Sequence, residues 1–139
     1  MNNPVIADSS ALVSLIFPTD SNNKKALTIT KILSKTSRPL IIPGDIFTET
    51  INLIGKKIDH KIACITGDKF LKDKRFIIID TTEEIRLSAF TKFKIQSKSV
   101  SFTDCVVMAL ADHFDTKDIF GFDEIFKKNG YVRLGIDKK

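Results

Sequence analysis

Four carboxylates, widely separated along the chain, are the side chains best suited to chemistry: Asp8, Glu49, Asp104 and Asp123. Each also has a purely structural reading. Asp8 opens an Asp-Ser-Ser run suited to capping a helix. Asp104 follows Ser101 by three positions, as in a capping box with Asp in place of Glu. Asp123 suits a turn between a strand and a helix. Glu49 falls at the margin of an apolar helical stripe, beside Ile46 and Leu53, where a lysine could pair with it. Brought together, the four would behave differently. Two unit charges about 4 Å apart repel by ~4 kcal/mol at an effective dielectric near 20. A cluster of carboxylates therefore needs protons or a cation. Mg2+ takes oxygen ligands and keeps several waters. Such an ion can lower the pKa of a bound water, orient it in line with a phosphodiester and stabilise the leaving oxygen. Without a cation the same cluster would repel a polyanion.

Whether the acids can meet depends on the elements that carry them. Val5-Ile6-Ala7 reads as a first strand ending at Asp8, followed by a short helix over Ser9 to Phe17 that Pro18 stops. Ser21 to about Lys35 has Ala26, Ile29, Ile32 and Leu33 at helical spacing. Pro39 to Pro43 is a short strand between prolines. Asp45 to about Lys57 is helical, with Phe47, Ile51, Ile54 and Ile58 on one face. A further helix covers His60 to Leu71. Arg75 to Asp80 reads as a buried-type strand, and Thr82 to Lys94 as a helix opened by Thr-Thr-Glu-Glu. Ser101 to Phe114 is a strongly apolar helix with Asp104 in its first turn. Asp118 to Phe122 is a fourth strand ending at Asp123. Glu124 to Lys128 forms a helical turn, and Tyr131 to Leu134 a last strand. Five strands alternating with helices imply a mostly parallel sheet with helices on both faces. In such sheets the ligand sits beyond the carboxyl ends of the strands, at a switch in strand order. Strand ends and the starts of the following helices face that one edge, which is where the acids lie.

The bulk properties agree with a globular domain. A chain of 139 residues fits one domain, and neither repeats nor low-complexity tracts occur. The longest apolar run, Cys105 to Ala111, is too short to span a bilayer. Met1-Asn2-Asn3-Pro4 shows no basic-then-apolar leader. The two cysteines, Cys64 and Cys105, lack metal-site spacing, which suits a reducing cytoplasm. A net charge of +5 is compatible with a nucleic-acid partner, though many basic proteins bind none.

At the level of motifs, Val5-Ile6-Ala7-Asp8-Ser9-Ser10-Ala11-Leu12 resembles the opening strand and helix of PIN domains, which typically read Asp-x-Ser/Thr-Ala-Leu. Ser101-Phe102-Thr103-Asp104-Cys105, with Ala109-Leu110-Ala111 beyond, resembles the segment of the family's third acid. Phe120-Gly121-Phe122-Asp123-Glu124-Ile125-Phe126 resembles its later strand, and Pro43 to Glu49 is similar to the segment carrying the second acid. The stretch between Glu49 and Arg75 carries no such motif. The resemblance implies one PIN-like nuclease domain over residues 1–139, folded as a three-layer α/β/α sandwich around a sheet of about five strands. The first and fourth strands would be neighbours. It implies an endoribonuclease dependent on Mg2+ or Mn2+, with Asp8, Glu49, Asp104 and Asp123 as catalytic and metal-binding residues and Ser10 and Thr103 in support. Within that family it resembles single-domain toxin ribonucleases of the VapC type. Those imply RNA as substrate, a small antitoxin as partner and a homodimer.

Other features carry less. Lys56, Lys57 and Lys61, and again Lys92, Lys94 and Lys98, could line a path for phosphates or simply be solvated helix faces. Phe90, Phe93 and Phe114 could form a dimer surface rather than core. His60 reads as exposed and His113 as a helix-end residue. Three rivals compete with the nuclease. A haloacid-dehalogenase-type phosphohydrolase needs an Asp where Ser10 stands. A receiver-like switch could use Asp80 but needs an acidic pair at Asp8. A non-catalytic RNA-binding or scaffold module with the same fold would have little use for all four acids.

Overall fold

The computed structural model describes residues 3–137, so Met1 and Asn2 of the N-terminal reading lie outside the described residues. Twelve elements follow one another: β1 (Val5–Ala7), α1 (Ser9–Ile16), α2 (Asn23–Lys35), β2 (Leu40–Pro43), α3 (Gly44–Lys57), α4 (His60–Lys72), β3 (Phe76–Ile79), α5 (Glu83–Lys94), α6 (Phe102–His113), β4 (Asp118–Phe120), α7 (Glu124–Lys128) and β5 (Val132–Arg133). The strands form one sheet in the order β3-β2-β1-β4-β5, and every pairing is parallel. Helices flank the sheet in the α/β/α arrangement that the alternation of strands and helices calls for.

The core explains the order. β1 and β2 are entirely buried, as strands covered on both faces must be. All seven residues from Cys105 to Ala111 of α6 are buried as well. That helix packs on β1 and β2, so its apolar run needs no polar face. Phe76 to Ile79 reads as a fully buried strand, yet all four residues of β3 are only half-buried. The reason is position: β3 is an edge strand, paired with β2 alone.

The strand order reverses between β1 and β4, which are hydrogen-bonded neighbours with Ile6 opposite Ile119 and Ala7 opposite Phe120. Strands to one side of this point run β1, β2, β3, and to the other β4, β5. A crevice opens at such a switch, and Asp8 is the residue that follows β1 there. A buried ion pair braces the opposite end. Arg38 donates to the Asp118 carboxylate at 2.7 Å and to the Asn3 carbonyl at 2.8 Å.

Candidate active site

Asp8 sits in the switch point and is 6% exposed. Its backbone N–H donates to the Phe120 carbonyl at 2.9 Å, so the last rung between β1 and β4 fixes the residue. It occupies the N-cap position of α1, but its side chain does not cap the helix. Instead one carboxylate oxygen, Oδ2, accepts a 2.7 Å hydrogen bond from the Ser10 hydroxyl. The capping reading of Asp8 is thus not the one the side chain adopts.

Asp104 and Asp123 combine both of their readings. Asp104 completes a capping box: Ser101 N–H donates to its Oδ2 at 3.0 Å, and the Ser101 hydroxyl accepts from the Asp104 N–H at 3.1 Å. Asp123 caps α7, its Oδ1 accepting from the Ile125 N–H at 3.1 Å. Asp123 does not end the fourth strand as the sequence suggests. β4 stops at Phe120, and the residue comes three positions later, at the start of α7. Gly121 permits this turn. A Cβ there would lie 3.0 Å from Phe126 and 3.1 Å from the Cβ of Asp8, so a larger residue would press on both where the chain leaves the sheet.

Glu49 is exposed on α3, and among the described residues it forms no ion pair. Its charge nevertheless reaches Asp8. Burial pushes the Asp8 carboxyl up to about 6, opposed by the Ser10 hydrogen bond and reinforced by the charges of Asp104 and then Glu49. Burial also raises Asp104, with the charge of Asp123 adding to it. By charge, then, Asp8 is coupled to Asp104 and Glu49, and Asp104 to Asp123. Thr103, beside Asp104, is half-buried and offers the acids no hydrogen bond among the described residues.

None of the four acids forms an ion pair among the described residues. Arg133 on β5 is bidentate to Asp137 and donates to the Phe122 carbonyl at 2.9 Å. Its field includes Asp123 and Glu124. Arg133 thus braces the turn that delivers Asp123, a role that no motif in the sequence announced. Among the described residues, no three acidic, histidine or cysteine side chains converge closely enough to enclose an ion by themselves. The donor set still suits a hard cation, because it is made of carboxylates alone and Mg2+ completes its shell with water.

Comparison with known proteins identifies the architecture. Residues 5–130 match the family model of the PIN domain. The chain belongs to the PIN-domain family. PIN domains generally act with a divalent metal ion, consistent with the carboxylate set. The sequence matches no curated protein. Among solved structures, this PIN domain is similar to the crystal structure of Mycobacterium tuberculosis VapC20, described as a sarcin-ricin loop cleaving toxin. The TM-score is 0.80 at 18% identity, covering 94% of this chain and 98% of that one. At such an identity the likeness is one of fold, and it spans nearly the whole of both chains.

Among the described residues, no helix is long and apolar enough to cross a membrane. His60 is exposed and lies 3.6 Å from Cys64 Sγ, while His113 is exposed at the end of α6; neither approaches the acids. Phe114 is half-buried and packs against the core, whereas Phe90 and Phe93 are 49% and 38% exposed.

Proposed function

We propose that this PIN domain, acting over the whole chain, is a metal-dependent endoribonuclease that hydrolyses RNA phosphodiester bonds as the toxin of a toxin–antitoxin pair. One observation carries the reading: Asp8, buried at the switch point, has its carboxyl pushed up to about 6 while two other acids act on it and no cation pairs with it. A structural carboxylate is ordinarily paired when buried. One left in this condition is suited to a divalent ion. Family membership and the fold shared with a sarcin-ricin loop cleaving toxin support ribonuclease chemistry.

Asp8, Asp104, Asp123 and Glu49 would hold Mg2+ or Mn2+. When bound, the ion lowers the pKa of a water and offsets charge at the phosphate. The chain supplies the rest. Ser10 holds one oxygen of Asp8, and the Ser101 and Ile125 backbone amides each hold one oxygen of Asp104 and Asp123. The carboxylates are fixed before substrate arrives, so little reorganisation remains to be done during reaction. Glu49, on the exposed side, would be a fourth acid able to position water. Under this reading the chain works in the cytoplasm, where RNA is found, and its further partners are a small antitoxin and a second copy of itself.

The open spacing of the acids favours one rival, a non-catalytic RNA-binding module. Cleavage of a mixed RNA pool separates the two. Wild-type protein should cut with Mg2+ or Mn2+ and stop in EDTA. Asp8→Asn and Asp104→Asn should each abolish cutting while circular dichroism shows a folded protein. Activity that survives EDTA, or that is undiminished in both variants, would refute the proposal.

A further inference from the structure

Helix α5 has two apolar faces. Ile85 and Ala89 are buried, whereas Leu87 and Phe90 are 63% and 49% exposed. Phe90 and Phe93 lie nearly parallel, with ring centroids 6.5 Å apart and planes at 24°. Both seat on Phe102, at 6.4 and 5.8 Å. Phe102 is the first residue of α6, and Asp104 follows two residues on. Residues two apart on a helix point to nearly opposite flanks, so the aromatic group and the acid lie on either side of one helix, about 10 Å wide. Stacked nucleotides advance about 3.4 Å each along a strand. A strand crossing the start of α6 would therefore place its bases on the phenylalanines about three nucleotides from a phosphate at the acids.

Charge decides what such a face suits. Residues 85–103 contain Arg86, Lys92, Lys94 and Lys98 and no acid. Lys92 is committed to Asp112 at 2.6 Å, but Lys94 stands over the Phe90 ring at 5.0 Å and Lys98 is exposed. A symmetric contact between two copies would set these lysines against their own equivalents. A polyanion with exposed aromatic faces matches both features, and single-stranded nucleic acid is that ligand.

We infer that Phe90 and Phe93, held on Phe102 beside the acidic edge, form a stacking platform for unpaired bases of single-stranded RNA, with Lys94 and Lys98 on its phosphates. The inference rests on the ribonuclease reading for its substrate, but binding tests it without cleavage. Asp8→Asn protein is titrated with a labelled single-stranded RNA 12-mer and with a duplex of the same sequence, both by fluorescence anisotropy. Added to that background, Phe90→Ala should weaken single-strand binding about 5- to 100-fold and leave duplex binding unchanged. Phe90→Leu, which keeps apolar bulk without a π face, should show the same loss; Phe90→Trp should restore affinity. Equal losses on both RNAs, unchanged single-strand affinity in Phe90→Ala, or no single-strand binding by the Asp8→Asn parent would each overturn the platform. So would a Phe90→Ala protein that turns from dimer to monomer in sedimentation while binding RNA as before, since the face would then join two copies. Failure of the wild type to cleave RNA would count against the ribonuclease reading and leave these binding outcomes readable.

Discussion

Removing the charge of Asp8 should abolish activity and, without metal, make the protein more stable. The Asp8 carboxyl is pushed from 3.8 up to about 6 in the folded chain. Between those two values the folded state keeps a proton that the unfolded state has released. Stability therefore falls as pH rises through about 4 to 6, and above that window the folded state carries the whole penalty. The gap is about two pH units, and at ~1.4 kcal/mol for each the cost is of the order of 3 kcal/mol. Asp8→Asn removes it, since an amide carries no charge and can still accept the Ser10 hydrogen bond. Unfolding entropy near ~2 cal/mol/K per residue over 139 residues converts this into a Tm gain on the order of 10 °C. The assay is thermal unfolding of both proteins in EDTA at pH 4 and pH 7.5. The variant should be clearly more stable at pH 7.5, and the advantage should shrink towards nothing at pH 4. A variant no more stable than wild type at pH 7.5, or one whose advantage is the same at both pH values, would refute the reasoning.

Three further outcomes follow from the same geometry. Mg2+ at about a hundredfold above its dissociation constant should stabilise the wild type by ~2.7 kcal/mol and the Asp8→Asn protein by much less, as seen by differential scanning fluorimetry. Gly121→Ala should cost about 1–3 kcal/mol and lower cleavage as well, because the new Cβ meets Phe126 and Asp8; urea unfolding and a cleavage assay read the two effects. Arg38→Met takes the guanidinium from the buried Asp118 carboxylate and should destabilise the protein by about 3 kcal/mol. Because this pair lies at the other end of β4 from the acids, cleavage per folded molecule should stay unchanged.

The sequence made some of this visible and hid the rest for identifiable reasons. Alternation of short apolar runs with helices is enough to call for a parallel sheet, a consequence of local pattern, whereas β1 beside β4 came only as an implication of the resemblance to PIN domains. The half-burial of β3 is not local: Phe76-Ile77-Ile78-Ile79 has the composition of a central strand, and only the strand order puts it at an edge. Gly121 and Arg133 escaped notice for a related reason. Gly121 matters because Asp8 lies against it, and Arg133 because β5 returns beside the Phe122 carbonyl. Neither neighbour can be read from flanking residues. Phe90, Phe93 and Phe114 look equivalent along the chain, yet Phe114 joins the core while the other two face solvent.

Helix capping and metal chemistry look like competing explanations of the same acids, but the geometry makes them compatible. A carboxylate has two oxygens. In Asp104 the Ser101 amide takes one, and in Asp123 the Ile125 amide takes one; in Asp8 the Ser10 hydroxyl does the same. Each bond removes rotational freedom that an ion would otherwise have to freeze. In Asp8 and Asp104 the bonds also favour the charged form, opposing the upward push of burial and mutual repulsion. The same Ser-x-x-Asp and Asp-x-Ser spacings that tempt a purely structural reading are what the proposed preorganised cation site at the switch point of this sheet would require.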